Sequence, residues 1–103
     1  MVEVYNKAIR DKIPEIIERS GHKSKIKILS NEEFIRELEK KLIEEINEYL
    51  YLKSIEELTD IIEVVYRIAE LRGISLDKLE SLRINKKNER GGFSKNLFLI
   101  QVE

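Results

Sequence analysis

Two serine-led segments, Ser30-Asn31-Glu32-Glu33 and Ser54-Ile55-Glu56-Glu57, constrain this fold more than anything else in the chain. In each, the serine hydroxyl can accept from the backbone three residues on, and the Glu at that position can reach back. This is the capping-box signature of a helix start. The first start is followed by Phe34, Ile35, Leu38, Leu42, Ile46 and Tyr49, a helical spacing that predicts a helix to about Tyr51. The second predicts a helix to about Arg72, stopped by Gly73. Only residues 52–54 separate the two, and so short a connection makes them antiparallel neighbours.

The rest of the chain fits around this hairpin. Ile9, Ile13, Ile16 and Ile17 have helical spacing, and Pro14 suits a first turn, so a short helix begins near Lys12 or Ile13. Gly21 ends it. Ser75 caps another helix, with Leu76, Leu79 and Leu82 inward, that ends before Gly91-Gly92. Lys25-Ile26-Lys27-Ile28-Leu29 alternates like a strand, and residues 95–102 carry Leu97, Phe98, Leu99, Ile100 and Val102. These two are candidates to pair as a short two-stranded β element near the C-terminus. The expected fold class is therefore mainly α, an antiparallel helical core of about four helices. One domain spans residues 1–103.

Composition narrows the function. A chain of 103 residues builds one modest core. Charged residues are 38%, on a chain with regular apolar spacing, which indicates amphipathic helices, not disorder. The net charge of −1 argues against binding a nucleic-acid polymer, but leaves room for a local basic patch facing a phosphorylated small molecule. There is no cysteine and only one histidine, His22. Thiolate chemistry and Cys- or His-rich metal sites are excluded, and a bound metal must take oxygen ligands, which favours magnesium, manganese or calcium. No apolar run approaches the ~18 residues of a membrane span. The N-terminus has no apolar signal region, so a cytoplasmic protein with no membrane partner is expected.

On a helical wheel the first long helix has its apolar arc centred near Leu42 and Tyr49. Glu45 falls inside that arc, Glu48 lies on its edge, and Glu44 lies further out. The second helix has its arc centred on Ile61, Val65 and Ile68, with Glu57 inside and Asp60 on the edge. About the turn, Glu48 balances Glu57 and Glu45 balances Asp60, so the four acids should meet across the hairpin seam. Clustered carboxylates in a partly buried seam repel and are costly to desolvate. A divalent cation relieves both costs, and no cationic side chain is obviously placed there, since Lys41 and Lys53 look more exposed. The bland alternative is solvated helical acids, with Glu57 explained by capping its own helix.

The ordered set Glu44-Glu45-Ile46-Asn47-Glu48 and Glu57-Leu58-Thr59-Asp60 resembles the all-α nucleoside triphosphate pyrophosphohydrolase superfamily, the MazG-like group. The opening Asn6-Lys7-Ala8-Ile9-Arg10-Asp11-Lys12-Ile13-Pro14 and the closing Lys86-Lys87-Asn88-Glu89-Arg90-Gly91-Gly92-Phe93 are similar to the ends of its short branch. The resemblance implies hydrolysis of a nucleoside triphosphate to the monophosphate and pyrophosphate, and a homodimer or larger homo-oligomer. It also implies magnesium, with manganese as a substitute, held by Glu45, Glu48, Glu57 and Asp60. Either Glu45 or Glu48 would then take the proton of the attacking water. Removal of non-standard nucleotides is one role such an enzyme fills.

Phosphate chemistry also wants fixed cations. Arg10 and Lys12 precede the first helix, where the helix dipole favours phosphate. Lys86 and Arg90, near the end of the last, could simply complement its dipole, and it is the resemblance that makes them candidates for phosphate contact as well. The rival enzymatic reading is phosphoribosyl-ATP pyrophosphohydrolase, of histidine biosynthesis. The rival from another class is a non-catalytic helical oligomerisation module.

Overall fold

The computed structural model describes residues 2–103. Both serine-led segments open helices, but by different means. In order, the helices are α1 (Ile13–Arg19), α2 (Asn31–Leu52), α3 (Ile55–Leu71) and α4 (Leu76–Arg90). At α2, Glu33 N donates to Ser30 Oγ at 3.2 Å and Ser30 N donates to Glu33 Oε1 at 3.3 Å, a complete capping box. At α3, Ser54 adopts the same extended backbone, but its side chain makes no cap bond. The second capping box expected from the sequence does not form. Ser75 caps α4 by accepting from Lys78 N at 3.1 Å.

The helix ends follow glycine chemistry. Gly21 and Gly73 sit at φ of +87° and +84°. Gly21 N donates to Glu18 O and His22 N to Ile17 O, while Gly73 N donates to Glu70 O and Ile74 N to Ala69 O. These paired bonds close the last carbonyls of α1 and α3 in the Schellman pattern. The turn between α2 and α3 is tighter: Lys53 takes the left-handed region at φ 58° and its N–H donates to Tyr49 O at 2.7 Å.

α2 and α3 pack as the antiparallel hairpin, and Arg72 at the end of α3 donates to Glu39 on α2 at 3.3 Å. Ala8, Leu38 and Val64 are buried between them and the N-terminal segment, with Phe34, Leu42, Ile68 and Leu71 partly covered. The inward face of α3 thus centres on Val64, not on Val65 as the wheel placed it; Val65 is 37% exposed. α4 packs on α3 alone, and α1 meets none of the other helices among the described residues.

No strand forms among the described residues. Residues 25–29 and 95–102 do not pair with each other, and Ile28, Phe98 and Ile100 stay exposed. A strand holds its shape through a neighbour's ladder, and neither segment has one. No helix among the described residues is long and apolar enough to cross a membrane. The chain is elongated, with a radius of gyration of 18.0 Å and extents of 61 × 32 × 23 Å. A compact chain of this length has a radius of gyration of about 13 Å.

Candidate metal centre

The hairpin brings three carboxylates together. One oxygen each of Glu45, Glu57 and Asp60 lies within 4.8 Å of the others. Glu45 comes from the C-terminal half of α2, and Glu57 and Asp60 come from the first two turns of α3. The short Lys53-Ser54 turn sets the register that levels them. Glu48, the fourth acid, is exposed and lies outside this triad, close enough to the Glu57 carboxyl to help raise its pKa.

Glu45 is the costly member. Only 7% of its surface is exposed, and its Oε2 is buried with no hydrogen-bond partner. Its Oε1 lies 3.6 Å from Lys41 Nζ, within ion-pair range but too long for a hydrogen bond. A buried acceptor left without a partner costs about 1–3 kcal/mol, more when charged. Glu57 Oε2 is likewise buried and unpartnered. Burial raises the Glu57 pKa first, then hydrogen bonding with Glu48, then the negative charges of Glu48, Asp60 and Glu45. Because Ser54 forms no capping box, capping does not account for Glu57.

Cations ring this cluster. Arg10 Nη2 donates to Asp60 Oδ1 at 2.7 Å, and Lys7 Nζ donates to Glu44 Oε1 at 3.2 Å. Lys41, read from the sequence as exposed, is largely covered, with 16% of its side chain accessible beside Glu45. Its spacing of four residues from Glu45 was the available signal. Lys53 does lie outside the seam, with its Nζ over the Tyr49 ring at 5.7 Å. Glu44 pairs with Lys7 and stays out of the triad, in keeping with its position on the wheel. Nothing local in the sequence marks Lys7 or Arg10 as partners of acids 37 and 50 residues away.

The other proposed phosphate contacts are not gathered here. Lys12 is exposed at the start of α1. Lys86 and Arg90 line a groove with Arg83, Lys87 and residues 91–93, on a helix that makes no contact with α2.

The donor set is made only of carboxylate oxygens, two of them buried and lacking partners. That chemistry suits a hard divalent cation such as Mg²⁺ or Mn²⁺, which takes oxygen ligands and shares them with phosphates. No family model, curated protein or solved structure matches the chain.

Proposed function

We propose that this chain is a Mg²⁺-dependent nucleoside triphosphate pyrophosphohydrolase of the MazG-like kind, releasing a (d)NMP and pyrophosphate in the cytoplasm. The observation that carries the reading is Glu45: a carboxylate over nine-tenths buried, with an orphan oxygen beside Glu57 and Asp60. Glu45, Glu57 and Asp60 would hold the metal, which Mn²⁺ could replace. Bound there, it would neutralise the triphosphate and acidify a water. Glu48 is exposed at the rim, beside the triad and not part of it, so it is better placed than Glu45 to accept that water's proton. The water oxygen would bond to the α-phosphorus as the bond from that phosphorus to the bridging oxygen breaks, freeing pyrophosphate. Arg10 supplies a guanidinium at the same rim for the phosphate oxygens.

The shape of the chain supports a homodimer or larger assembly as the working form. Its accessible surface is 9704 Å². A folded chain of 12.2 kDa exposes about 6,000 Å². A second copy would also be a means of bringing the basic end of an α4 to the acids, which the chain does not do alone.

The test is turnover. Purified protein with a panel of (d)NTPs and phosphoribosyl-ATP should release pyrophosphate with Mg²⁺ and stop in EDTA. If no substrate gives metal-dependent pyrophosphate, the reading fails; turnover of phosphoribosyl-ATP alone would move the enzyme to histidine biosynthesis.

A further inference from the structure

The N-terminal segment lies across the acids, held at three points. Ala8 is buried against Leu38 and Val64. On either side of it, Lys7 pairs with Glu44 and Arg10 pairs with Asp60. The two ion pairs are exposed, with 52% of the Arg10 side chain and 37% of the Asp60 side chain accessible. Exposed pairs of this kind contribute little to stability. Ala8 therefore fixes the backbone, and the Arg10 side chain is free to change partners without the segment leaving.

Asp60 is claimed twice. Its carboxylate accepts from Arg10 at 2.7 Å and also belongs to the triad with Glu45 and Glu57. A guanidinium and a divalent cation on one small carboxylate repel each other. Once a metal takes Asp60, the Arg10 guanidinium lies beside a positive centre, where a phosphate group is its natural new partner.

We propose that Arg10 is an exchangeable placeholder: it occupies Asp60 while the site holds no metal, and passes to the phosphate oxygens of the metal-bound substrate. This rests on the metal-dependent reading above. It gives one residue two effects of opposite sign. Arg10 competes with the bare metal and assists the phosphate ligand. A residue that only supported the fold would weaken both steps when removed.

The experiment uses Mn²⁺ alone, read by the paramagnetic resonance of the free ion, and then inorganic pyrophosphate at saturating Mn²⁺, read by calorimetry. Wild type, Arg10→Ala and Arg10→Lys are compared as full chains. Arg10→Ala should bind Mn²⁺ about threefold to fivefold more tightly than wild type, as expected for losing an exposed ion-pair competitor. The difference should shrink as salt is raised. The same variant should bind pyrophosphate about tenfold more weakly, since a charge-assisted contact is lost. Arg10→Lys should keep most of the competition with Mn²⁺ and only part of the pyrophosphate affinity, because it lacks the planar fork. Unchanged or weaker Mn²⁺ binding by Arg10→Ala overturns the proposal, and so does unchanged pyrophosphate binding. Failure of wild type to bind any Mn²⁺ sinks the metal centre itself, and the placeholder role with it.

Discussion

At the scale of single residues, Glu45 occupies a position that the apolar pattern of α2 reserves for a leucine. It lies seven residues after the buried Leu38 and on the same face. Helix geometry alone would fill that place with hydrocarbon, so the carboxylate marks a local conflict, as functional sites do. Glu57 shows the same conflict through its pKa. Burial and its acidic neighbours raise it above the ordinary 4.5. The folded chain then holds this proton more tightly than the unfolded one, so stability from Glu57 is full below about pH 4.5 and is lost as pH rises through the raised value. Glu33 and Glu80 act in the opposite sense at lower pH, since Ser30 and Arg83 lower their pKa values. The metal-free protein should therefore lose thermal stability as pH rises above about 4.5 and through the raised Glu57 value. Glu57→Gln should flatten that loss, raise the melting temperature at about pH 8, and abolish the rise expected of wild type on adding Mg²⁺. Thermal melts at several pH values, with and without Mg²⁺, check all three. If the Glu57→Gln variant melts lower than wild type at high pH without metal, the repulsion argued for this seam is contradicted.

At the scale of elements, the two serine starts carry the lesson. Ser30 and Glu33 satisfy each other in a complete capping box. At α3 the corresponding acid is Glu57, whose Oε2 is buried and whose carboxyl faces Glu48, Glu45 and Asp60. The carboxylate cannot both reach back to the Ser54 N–H and join the seam, and the Ser54 hydroxyl is left without a cap bond. The two serines should then differ in weight. Ser30→Ala should cost about 1 kcal/mol, the usual value of a lost N-cap. Ser54→Ala should change stability by only a few tenths of a kcal/mol, as for surface sites generally. Urea midpoints of the two variants at one pH measure this directly; equal losses would mean that Ser54 does cap α3.

At the scale of the whole molecule, the chain is too extended for its own core. Ala8, Leu38 and Val64 are its buried apolar residues among those described, while Ile43, Leu50, Ile62, Leu97, Phe98 and Ile100 stand 48% or more exposed. A single chain with so thin a core is marginal, and a second copy is the simplest cover for apolar faces of this extent. Light scattering at tens of micromolar should return a multiple of 12.2 kDa. A particle of 12.2 kDa under those conditions would leave the exposed faces unexplained and count against the assembly.

The sequence by itself determined the helices and much of their arrangement. Capping serines, glycine stops and apolar spacing act within a few residues of one another, so Ser30, Gly21, Gly73 and Ser75 mark their boundaries without tertiary help. The balance of Glu45 with Asp60 and of Glu48 with Glu57 was legible for the same reason, because a two-residue turn leaves little freedom of register. Tertiary structure decided what depends on distant neighbours. It turned Glu57 away from its cap, centred α3 on Val64, covered Lys41, and laid Arg10 on an acid fifty residues away. It also left residues 25–29 and 95–102 unpaired, since strand propensity specifies a shape but not the partner that must complete it.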